Sequence, residues 1–119
     1  MIRFFACILA GTFASAALAS PADVVGASAT RAGSDWTVSA TVSHADDGWD
    51  HYADNFEVLG PDGTVLATRV LLHPHVDEQP FTRSVGSVPI RDDATFITLR
   101  ASDNRGDATG KTYRLELSR

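Results

Sequence analysis

Trp36-Thr37-Val38-Ser39-Ala40-Thr41-Val42-Ser43 alternates apolar and hydroxyl-bearing side chains without a fault. Successive side chains of a strand point to opposite faces, so the pattern predicts a strand with Trp36, Val38, Ala40 and Val42 buried and the hydroxyls in water. Tyr113-Arg114-Leu115-Glu116-Leu117-Ser118 repeats the alternation near the C-terminus. Between them, 55–59 and 64–72 flank Gly60-Pro61-Asp62-Gly63, whose Pro and Gly supply the dihedrals of a hairpin bend. The run 64–72 is apolar on both faces, which predicts a strand that is central or covered on both sides. Segments 82–90 and 95–102 are joined by an Arg91-Asp92-Asp93 turn, and 23–31 supplies a weaker first strand. No segment joins a helical cap to a helical stripe. The expectation is an all-β domain of seven antiparallel strands.

Composition bounds the rest. A chain of 119 residues, 44% hydrophobic and 21% charged, holds one domain. Its formal charge is −5, and Lys111 is its one lysine. No segment clusters the cationic side chains that phosphate binding needs, so nucleic acid is not an expected partner. Residues 1–19 stand apart: Arg3 is followed by a run of apolar and small residues without an acid, ending in Ala17-Leu18-Ala19. This is the composition of a cleaved secretory signal peptide, with the mature domain at 20–119 and Ser20 first. The run is too short and too rich in small residues for a membrane span. Cleavage removes Cys7, the single cysteine, so the exported domain forms no disulfide and depends on its core. An exported monomer, periplasmic or extracellular, is expected.

Seven short strands in about a hundred residues suit a two-sheet sandwich. The stretch Ile97-Thr98-Leu99-Arg100-Ala101-Ser102-Asp103-Asn104-Arg105-Gly106, with its polar loop and last alternating strand, resembles the end of a fibronectin type III or related immunoglobulin-like domain. A Trp on the second strand adds to that resemblance. What it implies is the immunoglobulin-like β-sandwich; it implies no activity. Gly48-Trp49-Asp50-His51-Tyr52-Ala53-Asp54 and the segment 72–83 lie outside that pattern and are similar to small exported bacterial proteins, a likeness that carries no function.

In such a connectivity the loops after strands two, four and six share one pole. They cover 44–54, 73–81 and 103–110, and they hold all four histidines and eight of the fifteen acids: Asp46, Asp47, Asp50, Asp54, Asp77, Glu78, Asp103 and Asp107. His73-Pro74-His75 is the sharpest feature, because two imidazoles one residue apart in extended chain point the same way and can chelate one ion. His51 or His44 would complete the set, with Asp77 or Glu78 as further donors and Asp50 fixing the tautomer of His51. Neutral imidazoles suit a transition metal, zinc or copper first. The plainer alternative has His73 and His75 bonding backbone groups while Pro74 fixes a turn. Neither acidic loop has the calcium-loop spacing, and solvated loop acids explain them better.

Trp49 and Tyr52 offer aromatic surface with polar handles, suited to a sugar, a peptide or another exported protein. The alternative makes Trp49 a plug over the end of the core. Gln79, Arg83 and Arg69 are candidates for tying the acidic loops together. Catalytic signatures are lacking: there is no nucleophile elbow, phosphate-cradling loop or His-Glu-x-x-His pair. The sequence therefore reads as a binding module and not an enzyme, either metal-binding or metal-free.

Overall fold

The computed structural model describes residues 21–106 and 109–118. The segment read as a signal peptide, Cys7, and the loop acid Asp107 lie outside the described residues. Within them are seven strands and no helix: β1 (Asp23–Ala32), β2 (Asp35–Ser43), β3 (Ala53–Leu59), β4 (Val65–Val70), β5 (Phe81–Val88), β6 (Phe96–Asp103) and β7 (Tyr113–Glu116). They form two antiparallel sheets, ordered β1-β2-β5 and β4-β3-β6-β7.

β2 is the centre of the first sheet, and its burial alternates residue by residue as its sequence requires. Trp36, Val38, Ala40 and Val42 face inward, while Ser39 and Thr41 hydrogen-bond across the outer face to Ser84 and Thr82 of β5. β6 does the same in the second sheet, with Ile97, Leu99 and Ala101 buried. Phe56 and Val58 of β3 join them, and both sheets contribute to one apolar cluster that also takes in Phe81 and Val88. Removing these side chains from water is the main force holding two sheets without covalent links together.

The hairpin between β3 and β4 forms where Pro and Gly place it. Gly63 adopts φ 85°, which glycine tolerates without strain, and Asp62 accepts bonds from the Thr64 backbone N–H and hydroxyl. Those two bonds hold the Asp62 carboxyl below its usual range. The reading of 64–72 as central or doubly covered is corrected. β4 is the edge of its sheet, Val65 and Val70 are exposed, and Leu72 beyond its end is 76% exposed. An apolar run records what a strand would tolerate on both faces, while strand order decides whether anything covers it. A bond from Arg69 Nη1 to the Ser84 carbonyl, 3.0 Å, ties this edge to β5.

Candidate metal centre

Antiparallel alternation brings the loops after β2, β4 and β6 to one end, and side chains stitch them together there. The alternation of β2 carries one step past its last residue, so His44 continues the inward face of Trp36 to Val42 and is 3% exposed. β6 ends the same way: Asp103 follows Ile97, Leu99 and Ala101 inward and is 7% exposed. His51 is turned back toward them by a tight bend at Gly48, φ 104°, closed by a bond from the Asp47 N–H to the His51 carbonyl. Asn104 fixes that loop to β6. Its N–H donates to the Tyr52 carbonyl, its side chain accepts from the Tyr52 N–H, and its amide donates to the Trp49 and Asp50 carbonyls.

Three ligand-capable atoms converge as a result. His44, His51 and Asp103 each offer one donor atom, all within 4.8 Å of one another. His51 Nε2 lies 2.7 Å from Asp103 Oδ2 and donates to it, while His44 Nε2 stands 3.7 Å from the same oxygen. The two imidazoles meet edge to face with centroids 4.7 Å apart. His44 Nε2 is buried and has no hydrogen-bond partner among the described residues. The reason lies on the other side of the ring, where Nδ1 is 2.5 Å from Asp46 Oδ1 and donates its proton there. That bond orients the ring so that Nε2 faces Asp103.

Asp46 is itself fully enclosed and answers three donors. Its Oδ1 accepts from His44 Nδ1–H and, at 3.1 Å, from the Ala53 N–H; its Oδ2 accepts from the His75 N–H at 2.7 Å. A buried carboxylate is tolerable only when its oxygens are satisfied in this way. Asp103 is compensated by His51 and by the Arg105 N–H on Oδ1.

The four predicted histidines thus separate into two kinds. His44 and His51 belong to the converging group, and Asp103, read from the sequence only as one of the acids of that pole, joins them from the end of β6. His73 and His75 are not in that group. His73 is exposed and its Nδ1–H donates to the Pro74 carbonyl. The His75 ring stacks on Phe81 at 3.9 Å, and its Nε2 accepts from Arg83 Nη2, so that lone pair is already engaged. Burial first, then the nearby Arg83 and His73, holds the His75 imidazole below its usual value and keeps it neutral. The rings of His73 and His75 do approach, with centroids 4.5 Å apart, but one nitrogen of each is already bonded, His73 Nδ1 to the Pro74 carbonyl and His75 Nε2 to Arg83.

Among the other predicted residues, Asp50, Asp77 and Glu78 are exposed, and His51 Nε2 is bonded to Asp103. Glu78 stands 3.6 Å from Arg83. Trp49 is 66% exposed and meets Tyr52 edge to face at 5.6 Å, which corrects the plug reading. Gln79 does tie loops together, whereas Arg69 spends its bond on the sheet edge. At the opposite end, Gly60, Pro61, Leu66 and Ala94 line an open depression. It holds no histidine, and its Arg91 pairs with Asp93 at 3.0 Å.

No family model matches the chain. No solved structure matches it. A protein of Halomicrobium mukohataei carrying the name "Putative lipoprotein" is 40% identical over 65 residues, which is 55% of this chain and 31% of that protein. The chain therefore spans about a third of the relative it matches.

Proposed function

We propose that this chain is an exported immunoglobulin-like β-sandwich that binds one divalent transition-metal ion through His44 Nε2, His51 Nε2 and Asp103 Oδ2. The observation that carries the reading is His44 Nε2, buried and without a hydrogen-bond partner among the described residues, 3.7 Å from a carboxylate oxygen that a second imidazole also bonds. A buried ring nitrogen without a partner is costly, and a metal ion would satisfy it. Ligand atoms around a tetrahedral zinc stand roughly 3.3 Å apart, given zinc–nitrogen and zinc–oxygen distances near 2.1 Å. The separations of 2.7 and 3.7 Å from Asp103 Oδ2 straddle that value, and all three ligand atoms lie within 4.8 Å of one another. The ion would take the place of the proton that His51 now donates. Asp46 behind His44 supplies the outer carboxylate that orients a ligating imidazole.

The sandwich part of the proposal is supported by the strand order β1-β2-β5 against β4-β3-β6-β7 and by the resemblance of 97–106 to fibronectin type III domains. Export is supported by the composition of 1–19 and by the lipoprotein name of the Halomicrobium relative. No helix among the described residues is long and apolar enough to cross a membrane. The proposed role is binding, not catalysis.

Titration of tag-free protein with zinc tests the site. One ion per chain is expected, and an ion held only by the folded state adds about 2.7 kcal/mol of stability at a hundredfold excess over its Kd. His44→Ala and His51→Ala should abolish the zinc-dependent increment, while His73→Ala keeps it. An increment that survives in His44→Ala and vanishes in His73→Ala would return the ion to the His73-Pro74-His75 pair.

A second reading rests on Trp49. A large aromatic two-thirds exposed, on a loop braced by Asn104 and by the Arg105 side chain on the Asp50 carbonyl, offers a stiff contact surface. In that reading the pole is a metal-free interaction site using Trp49 and Tyr52.

A further inference from the structure

The segment 73–80 contributes no atom to the converging group, yet it is tied to His44 twice, directly through Gln79 and by way of Asp46. The His75 N–H donates to Asp46 Oδ2 at 2.7 Å, and Asp46 Oδ1 holds His44 Nδ1–H. From the other side, Gln79 Oε1 accepts the His44 backbone N–H at 3.0 Å, while Gln79 Nε2 donates to the His75 carbonyl at 2.9 Å. These four bonds close a circuit that runs His44, Asp46, His75, Gln79 and back to His44. Local opening of 73–80 has to break it at two places.

We infer that the position of this segment is coupled to occupancy of the His44, His51, Asp103 site through that circuit, an inference that rests on the metal reading above. An ion on His44 Nε2 fixes the ring and polarises its Nδ1–H, which strengthens the bond to Asp46. Asp46 is then held where it accepts from His75, and the segment opens less often. The same link works backward: whatever opens the segment frees Asp46 and Gln79 and weakens the grip on His44, because coupling between two events is reciprocal. His73-Pro74-His75 is on this account the segment that reads the site's state, with Asp46 as the positioning residue between the two. Val76, exposed at the surface, rides on it.

Amide hydrogen exchange by NMR on the wild-type chain, with and without one equivalent of zinc, measures the coupling directly. Exchange at the His75 amide should slow about tenfold on zinc, within the range that site-to-site coupling spans. Exchange at Gly63, whose N–H bonds the Gly60 carbonyl at the far end, should be unchanged. Gln79→Ala removes no proposed ligand atom, only the bonds that tie the segment to the His44 N–H and the His75 carbonyl, and should weaken zinc about tenfold by reciprocity. Zinc that binds in the titration while His75 exchanges at its zinc-free rate, or binds Gln79→Ala as tightly as wild type, overturns the coupling and leaves the metal site standing. Absence of any zinc binding to the wild type overturns both.

Discussion

Asp46→Ala should cost about 3–5 kcal/mol of folding stability, as removal of one member of a buried charge network does. The carboxylate is enclosed completely and accepts from three donors in three different loops or strands: His44 Nδ1–H, the Ala53 N–H and the His75 N–H. Alanine leaves all three in a dry pocket, and each buried donor without an acceptor carries a penalty of about 1–3 kcal/mol unless water enters. Entry of water is what keeps the expected total below the sum of three. Asp46→Asn should cost less, because the remaining oxygen can serve two of the donors, but its amide then faces the His75 N–H donor to donor. Urea denaturation at fixed pH reads both variants. A loss under about 1 kcal/mol for the alanine variant would mean that the loops hold their places without this residue.

Trp36→Ala should be comparably severe, again about 3–5 kcal/mol, for a different reason. Trp36 is 2% exposed and opens the inward face of β2, the middle strand of its sheet, opposite Arg31 on one side and Val88 on the other. It is paired to both flanking strands, with a register irregularity toward β5 just beyond it, so the sheet cannot collapse into the vacated volume without shifting a ladder. Whole-domain stability is typically about 5–15 kcal/mol, so the variant should be near the threshold of folding at 37 °C. Thr37→Ala, one residue along and on the other face, is the internal control and should cost well under about 1 kcal/mol. Equal losses for the two would place the face of β2 wrongly.

The alternation that identifies β2 also contained part of the site, although the sequence reading stopped at the strand end. Continued by one step of two, it carries His44 inward after Val42, and the same step in β6 carries Asp103 inward after Ala101. A polar residue on the apolar phase just past a strand end is a signal, since burying it requires a partner. His51 gave no such signal, because its placement depends on the bend at Gly48 rather than on any period. Asp46 was harder still: besides His44 two residues before it, its partners are backbone groups of residues 53 and 75, brought near by topology alone. His73-Pro74-His75 drew attention because local spacing is visible in a sequence, whereas the convergence of residues 44, 51 and 103 is not. Strand β4 misled for a related reason, since apolar content does not reveal which strand lies at an edge.

Anomalous diffraction at the zinc absorption edge, from crystals of tag-free protein grown with one equivalent of zinc, tests the proposed site most directly. The expected result is one ion per chain, about 2.0–2.2 Å from His44 Nε2, His51 Nε2 and Asp103 Oδ2, with Asp46 still accepting from His44 Nδ1–H. An ion seated between His73 and His75, or no ordered zinc while His51 keeps its bond to Asp103, would contradict it.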